Sequence, residues 1–224
     1  MSDPKQKLRY PQVREEGLDD WRFFLVKLHA RFKTGSFVKG LELVTRITEA
    51  AEEADHHPDV VLTYPQVDID LQSHDVGGVT SRDVALARRI SAIAAELGIE
   101  SAPREVSTLE LALDVPDAAA VQPFWAAVLG YEQPHEWPEI MDPGGRNNTL
   151  WFQEAPDATG EVQQRFHLDI VVPREVAEER VAAAVAAGGT LVSEDAVPAF
   201  WVLADAHGNK VCVCTADGRE PSTG

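Results

Sequence analysis

The sequence has 224 residues, of which 44% are hydrophobic and 25% are charged, a composition that is ordinary for globular proteins and argues against disorder. Its 20 basic and 37 acidic residues give a formal net charge of -17. Because this charge repels phosphate backbones and anionic lipid surfaces, we expect no nucleic acid and no membrane among the partners. The opening residues lack the apolar core of a signal peptide and no segment is long enough to span a bilayer, so a cytoplasmic protein is expected.

The first elements follow from the spacing of apolar residues. Alternation over residues 21 to 34 predicts one half-buried strand, whose inner face would carry Phe24, Val26, Leu28, Ala30 and Phe32. Helical spacing then predicts a helix that starts at Phe37 and ends before Pro58, with a buried stripe of Phe37, Leu41, Val44, Ile47 and Ala51. Residues 8 to 17 contain Pro11 and little periodicity, so an N-terminal helix is poorly represented there.

Two short strands and a second helix come next. Residues 60 to 63 and 67 to 73 predict strands around a Tyr64-Pro65 turn, with Val67, Ile69 and Leu71 facing inward. Thr80 and Asp83 have the spacing of a capping box, and the helix that they open should end at Gly98. Residues 99 to 107 are polar and aperiodic, so we expect a linker at 101–107 between a domain of residues 1–100 and one of residues 108–218.

The second half contains an internal repeat at an offset of 57 residues. Residues 110 to 116 align with residues 167 to 173, and each copy leads into a helix that ends at glycine. The predicted helical stripes are Val121, Phe124, Trp125 and Val128 in the first copy, and Val176, Val181 and Val185 in the second. Strands are predicted at 150–153, 200–204 and 211–214. Because neither copy can bury its own apolar face, the two should pack on each other. Cys212 and Cys214 share one strand face and are expected to be reduced and structural.

The densest group of polar residues lies near the end of the first long helix. Glu52 and His56 are four residues apart and would share a helix face, while His57 precedes Pro58 and should leave the helix. With His74 from the neighbouring strand, these imidazoles could supply an acid and a base at the same pH. Asp83 is also explained by the capping box alone, and single histidines often serve as caps. A metal site is less favoured because no His-x-x-x-His pair is present.

The order and spacing of these residues resemble the pterin-4a-carbinolamine dehydratases over residues 21 to 98. The matching positions are Glu52, His56, His57, Pro58, Tyr64, Val67, Leu71, residues 73 to 80, Asp83, Leu86 and Ala87. The resemblance implies that His56 and His74 form the acid/base pair that expels the hydroxyl of a 4a-hydroxytetrahydropterin. It implies that His57 helps to hold the pterin ring and that Glu52 and Asp83 orient the histidines. It also implies a homo-oligomer, with neither a metal nor an organic cofactor.

Residues 109 to 215 resemble the glyoxalase/bleomycin-resistance family, also called vicinal oxygen chelate proteins. The similarity lies in the duplicated unit, in residues 124 to 130 and in the turn at 205–209. Active members hold a divalent metal on the first and last strands of each repeat. The equivalent first-strand positions carry Glu110 and His167, and Gln153 or Glu154 is a further candidate ligand, whereas Lys210 would oppose a metal.

Together these features predict an α+β protein. Its first half would be an antiparallel sheet with helices packed on one face, and its second half would be paired βαβββ repeats of glyoxalase type. The favoured function is dehydration of 4a-hydroxytetrahydropterin to quinonoid dihydropterin, with an accessory second domain. A non-catalytic assembly or binding protein on the same fold, and a metal-dependent activity in the second half, are the alternatives. Three clustered imidazoles favour the enzyme, because a scaffold has no need of them.

Overall fold

The computed structural model describes residues 4–109, 111–133, 138–159, 167–215 and 217. The chain divides into two compact units, Met1–Thr108 and Leu109–Gly224, which we call unit 1 and unit 2. Within the described ranges no helix combines the length and the apolar character that crossing a bilayer requires.

Unit 1 is an antiparallel sheet with helices on one face. Its elements are α1 (Tyr10–Glu15), β1 (Arg22–Phe24), β2 (Lys27–Lys33), α2 (Phe37–Ala54), β3 (Asp59–Thr63), β4 (Gln66–Leu71), α3 (Ser81–Glu96) and β5 (Glu100–Ser101). The strand order is β1-β2-β4-β3, and β5 also pairs with β2. Alternate residues of β2 and β4 join α2 and α3 in one core, which includes Leu28, Phe32, Val67, Ile69, Leu71, Leu43, Ile47, Leu86 and Ile90.

The opposite face of this sheet is held by ion pairs between neighbouring strands. Arg31 donates two hydrogen bonds to Asp68, of 2.6 and 2.9 Å, and His29 Nδ1 lies 2.7 Å from Asp70 Oδ1. Both pairs follow from the register, which sets Arg31 opposite Asp68 and His29 opposite Asp70. The predicted alternation of β4 is therefore confirmed: Val67, Ile69 and Leu71 are fully buried.

The single strand predicted over residues 21 to 34 is wrong. Leu25 has a positive φ of 54° and, with Val26, turns the chain between β1 and β2, which pair as a hairpin. Val26 is consequently 41% exposed instead of facing the core. A leucine with a positive φ is uncommon. Since hairpin turns are usually recognised in a sequence by glycine or asparagine, this turn had no sequence signal.

Two other expectations for the helices of unit 1 change in detail. The N-terminal helix is present as α1, where Pro11 occupies the first turn and so removes no helical hydrogen bond. The buried face of α2 is rotated: Phe37 and Leu41 are 52% and 53% exposed, while Gly40 lies inside. A Cβ on Gly40 would come within 2.4 Å of the Leu62 side chain, so the helix approaches β3 along this glycine.

The expected linker at 101–107 is partly a strand of unit 1. Residues of β5 pair with β2, and the amide of Ala102 donates to the carbonyl of Arg31 at 2.7 Å. Ala102 is itself buried. A strand of two residues is too short to show a period, which is why the sequence pattern suggested an unstructured connection.

Unit 2 consists of two similar halves. The first contains β6 (Leu111–Val115), α4 (Ala118–Leu129), β7 (Glu139–Ile140) and β8 (Leu150–Glu154). The second contains β9 (Leu168–Val171), α5 (Arg174–Ala186), β10 (Thr190–Ser193), β11 (Phe200–Ala204) and β12 (Lys210–Cys214). In each half the first strand pairs in parallel with the last, β6 with β8 and β9 with β12. This repeated pairing and the α+β character agree with the predicted class.

The two halves share one core, as the repeat predicted. Val121, Phe124, Trp125 and Val128 of α4 are all buried and belong to the same cluster as Ala177, Val181 and Ala184 of α5. The predicted stripe of α5 is wrong at one position, since Val185 is 42% exposed. Small alanine side chains line its buried face instead, which lets α5 lie close to α4.

Candidate functional site

The end of α2 sends two consecutive histidines in different directions. Asp55 adopts the left-handed conformation, with φ 47° and ψ 42°, directly after the last helical residue. The amide of His56 donates to the carbonyl of Ala51 at 3.1 Å and that of Asp55 to the carbonyl of Glu52 at 3.2 Å. This is a Schellman motif, which ends the helix while satisfying its last carbonyls. His56 therefore leaves the helix, and the expectation that Glu52 and His56 share a helix face is wrong.

The ring of His56 turns inward to a buried carboxylate. Its Nε2 lies 2.7 Å from Asp83 Oδ1, and the side chains are 8% and 0% exposed. Asp83 belongs to the first turn of α3, so this contact joins the end of one helix to the start of the next. A buried carboxylate needs partners at both oxygens, and an imidazole N–H supplies one of them.

The other oxygen of Asp83 performs the capping function that the sequence predicted. Asp83 Oδ2 accepts hydrogen bonds from the Thr80 amide at 2.7 Å, from Ser73 Oγ at 2.6 Å and from Thr80 Oγ1 at 3.2 Å. The capping box is thus confirmed. Because the two oxygens have separate partners, the same carboxylate caps α3 and holds His56.

His57 and Glu52 form a second pair at the surface. His57 Nε2 lies 3.0 Å from Glu52 Oε1, and their side chains are 56% and 71% exposed. Glu52 thus contacts His57, and not His56 as the helical spacing had suggested. An exposed pair of this kind adds little stability, but it fixes the orientation of an imidazole that solvent and small molecules can reach.

His74 lies on a tight turn that is fastened to the buried pair. Its neighbour Ser73 bonds to Asp83, and Ser73 also pairs with Gly78 through backbone hydrogen bonds of 3.0 and 3.4 Å. His74 itself is exposed. Among the residues that the structure describes, its ring makes no side-chain hydrogen bond, so it remains available to a ligand.

Basic residues surround this turn. Arg82 donates to Asp75 at 2.6 Å and Lys5 approaches the same carboxylate to 3.3 Å. The hydrogen bond from Arg82 is the main reason that the pKa of Asp75 lies below its ordinary value. The stem of Lys7 packs along Gly78, where an added Cβ would come within 3.3 Å of it. Gly78 thus has no room for a larger residue unless Lys7 moves.

Two residues of the site were not predicted as functional. Ser73 and Thr80 are almost completely buried and hydrogen-bond to each other at 2.8 Å as well as to Asp83. Ser73 ties the turn of His74 to the carboxylate that holds His56. The sequence signal was present, because both residues belong to the segment of residues 73 to 80 that carries the family resemblance.

The geometry defines which ring atoms can move protons. An ionised carboxylate only accepts hydrogen bonds, so a neutral His56 that donates from Nε2 to Asp83 has an unprotonated Nδ1. The same reasoning gives His57 an unprotonated Nδ1 when Glu52 accepts from its Nε2. The site can therefore take up a proton at a held imidazole and deliver one from another.

The metal candidates of unit 2 are only partly described. Glu110 lies outside the described residues. His167 is exposed and its Nε2 lies 3.1 Å from Asp169 Oδ1. Gln153 and Glu154 are exposed at the end of β8. The side-chain amide of Gln153 donates a hydrogen bond to the backbone carbonyl of Glu154 at 3.3 Å.

Both units are similar to known protein families. The family described as pterin 4 alpha carbinolamine dehydratase matches residues 6–93, and the glyoxalase-like domain matches residues 110–214. A protein of Picosynechococcus named "Putative pterin-4-alpha-carbinolamine dehydratase" is 40% identical over 76 residues, which cover 34% of this chain and 83% of the relative. A protein of the same name from Nostoc punctiforme is 37% identical over 90 residues, covering 39% and 97%.

Among solved structures, a glyoxalase/bleomycin resistance protein/dioxygenase family enzyme from Burkholderia phytofirmans aligns with a TM-score of 0.38 and 18% identity, covering 47% of this chain and 95% of that one. The curated relatives show that the chain belongs, through its first unit, to the pterin-4-alpha-carbinolamine dehydratase family, while its second unit matches the glyoxalase-like domain model over residues 110–214.

Proposed function

We propose that unit 1 dehydrates 4a-hydroxytetrahydropterin to quinonoid dihydropterin by histidine acid/base catalysis. The observation that carries the proposal is the Asp83 carboxylate, which holds His56 at 2.7 Å and Ser73, the neighbour of His74, at 2.6 Å. One buried group thus positions the histidine at the end of α2 and the turn that presents the other.

The reaction needs two proton transfers and no change in oxidation state. The C4a–O bond breaks and the departing oxygen receives a proton, leaving as water, while a ring nitrogen loses a proton as the double bond to C4a forms. His74 is exposed and can donate the proton to the leaving hydroxyl. His56 can accept the other at Nδ1, because Asp83 stabilises the imidazolium that results.

His57 and Glu52 supply the remaining contact in this proposal. The exposed imidazole of His57 can lie against the planar pterin, and Glu52 fixes the ring that does so. His57 therefore contributes mainly to binding, whereas His56 and His74 contribute to the chemical step. Loss of His57 should raise KM more than it lowers kcat.

The test is the decay of freshly generated 4a-hydroxytetrahydropterin, followed by absorbance. We expect His56→Ala and His74→Ala each to lower kcat by ~10²–10⁴-fold, the usual contribution of a general acid or base. Because the His74 side chain is exposed, added imidazole should restore part of the rate of His74→Ala without altering its melting temperature. Glu52→Gln weakens the pair that orients His57 and should raise KM, whereas Glu96→Gln, which removes an exposed carboxylate paired with Arg46, is its matched control and should keep the wild-type rate and KM.

Two results would contradict the proposal. If the wild-type protein does not accelerate the decay above buffer, unit 1 is a binding or assembly module built on the dehydratase fold. If both histidine variants keep the wild-type rate while folded, the catalysis does not depend on this pair.

A further inference from the structure

We propose that Lys7, beside the His74 turn, selects pterins whose C6 side chain carries a phosphate ester. The inference rests on the proposed dehydratase function and names the substrate class of that site. It is carried by the position of the Lys7 ammonium group and by the balance of charges around the turn.

The N-terminal segment is fixed against this turn by its backbone. The amide of Leu8 donates to the carbonyl of Val79 at 2.7 Å, and the Leu8 side chain packs against the core of unit 1. The stem of Lys7 then runs along two glycines. A Cβ built on Gly78 would lie 3.3–3.6 Å from carbons of this stem, and one built on Gly77 would lie 3.9 Å from Nζ. The absence of side chains at both glycines therefore gives the lysine its path.

This path brings the ammonium group close to His74. The amide of Gly77 donates to the carbonyl of His74 at 3.3 Å, so the glycine beside Nζ is in direct contact with the residue that presents the exposed imidazole. Lys7 is itself exposed. A ligand that reaches the His74 ring can therefore also reach Lys7.

The charges at this turn do not cancel. Asp75 accepts a hydrogen bond from Arg82 at 2.6 Å and lies 3.3 Å from Lys5, so two cations share one carboxylate. Among the residues that the structure describes, Lys7 has no ion-pair partner. These four side chains thus carry a net positive charge, in a chain whose formal net charge is -17. Such a local positive region attracts anionic ligands that the rest of the surface repels.

The chemistry of the pterin ring determines which part of the substrate Lys7 can reach. Only N5 separates C4a from C6, so a side chain on C6 begins two bonds from the carbon that bears the hydroxyl. An imidazole that donates to this hydroxyl is therefore near the start of the C6 side chain, and a cation beside the imidazole is near a group a few bonds further along.

A phosphate ester is the anion that fits these charges best. It carries a charge of about -1.5 to -2 at neutral pH and three strong acceptor oxygens. Lysine binds phosphate as a point charge, and arginine donates several hydrogen bonds to it. A neutral hydroxylated side chain would leave the charge of Lys7 without a counter-ion.

The experiment compares two 4a-hydroxytetrahydropterins that differ only in a phosphate ester on the C6 side chain. With the full-length protein at low ionic strength, we expect a higher kcat/KM for the phosphorylated substrate. Lys7→Gln should reduce this preference by roughly 3- to 10-fold, mainly through the KM of the phosphorylated substrate, as for an exposed charge contact with a dianion. High salt should reduce it as well, because the Debye length falls to about 3 Å at 1 M.

Lys39→Gln is the matched control. Lys39 belongs to the first turn of α2, about 22 Å along the helix from the end that carries His56, and it should keep the wild-type preference.

A binding measurement separates this inference from the proposed catalysis. Oxidised pterins with and without the phosphate ester are stable and fluorescent, so their Kd can be measured without turnover. We expect the phosphate to lower the Kd for wild type and Lys39→Gln, and to have much less effect for Lys7→Gln. If neither 4a-hydroxy substrate is turned over but this difference in Kd is found, the phosphate contact is supported and the dehydratase proposal fails.

The opposite outcome is equally clear. If wild type turns over both substrates without preferring the phosphorylated one, or if Lys7→Gln keeps the wild-type preference in Kd, the role of Lys7 is overturned while the dehydratase proposal stands. A wild-type protein that neither turns over nor binds either pterin would overturn both.

Discussion

The Asp83 carboxylate allows the stability of unit 1 and its proposed catalysis to be tested separately by two substitutions at one position. In Asp83→Ala, Ser73 Oγ and Thr80 Oγ1 keep each other as partners at 2.8 Å. The His56 Nε2–H and the Thr80 amide, which lie 2.7 Å from the carboxylate, lose theirs. Each buried donor without a partner costs about 1–3 kcal/mol, so we expect unit 1 to lose roughly 4 kcal/mol. For a domain of about 100 residues this corresponds to a fall in Tm of more than ~15 °C.

Asp83→Asn should behave differently because it keeps the shape of the side chain. The Thr80 amide can only donate, so the remaining oxygen must face it and the new NH₂ group must face His56. His56 then has to accept at Nε2, which places its own proton on Nδ1. We expect a loss of only about 1–2 kcal/mol from the weaker hydrogen bonds, with a fall in kcat of ~10²–10⁴-fold because the base has the wrong tautomer.

The assays are thermal unfolding and the decay of 4a-hydroxytetrahydropterin. Asp70→Asn is the matched control for stability, since Asp70 also lies 2.7 Å from a histidine, His29, but has a side chain that is 35% exposed. That part-buried pair is still reached by solvent and should contribute only about 1 kcal/mol. An Asp83→Asn protein that turns over within about threefold of wild type would refute the tautomer argument, given the 10²–10⁴-fold expected. If Asp83→Asn unfolds as easily as Asp83→Ala, the assignment of donors and acceptors is wrong.

Three further changes test other parts of the structure. Asp55→Gly should raise the stability of unit 1 by ~0.5–1 kcal/mol in denaturant unfolding, because it relieves a left-handed residue and removes an acid from a helix C-terminus; a loss of stability would contradict this. The hydrogen bond from Arg82 lowers the pKa of Asp75 below 3.8, so its stabilising effect is present above that pH and is lost as the pH falls through the lower folded value. Asp75→Asn should therefore weaken the fold at neutral pH but not below the folded pKa. Gly189→Ala would bring a Cβ within 2.2 Å of the buried Phe124 ring, so unit 2 should lose at least ~1–3 kcal/mol by calorimetry and regain part of it with Phe124→Leu.

Local sequence signals were sufficient wherever the interaction is local. The capping box of Thr80 and Asp83 depends on residues three apart and was predictable from their spacing. The burial of alternate residues in β4 follows from the pleat and was predictable as well. The shared core of unit 2 was predictable from the internal repeat, because both copies carry the same pattern of apolar residues.

Features that depend on a single unusual backbone angle were not predictable. The turn at Leu25 and the end of α2 at Asp55 both use positive φ in residues other than glycine. The alternation of apolar residues therefore predicted one strand through the turn at Leu25. The helical spacing likewise predicted a shared face for Glu52 and His56, although the helix ends between them. Contacts between distant strands were hidden for a different reason. Cys212 meets Asp169 only through the register of β12 with β9, which no local pattern specifies.

The end of α2 explains why two adjacent histidines can have different roles. In a continued helix, consecutive side chains would project about 100° apart from the same axis, and Glu52 would lie beside His56. The left-handed Asp55 breaks this relation, so that His56 contacts Asp83 of the next helix while His57 turns back to Glu52. One imidazole is thereby buried and held by a carboxylate, and its neighbour is exposed. The different surroundings of the two histidines, on which their different proposed roles depend, thus originate in the conformation of the residue that precedes them.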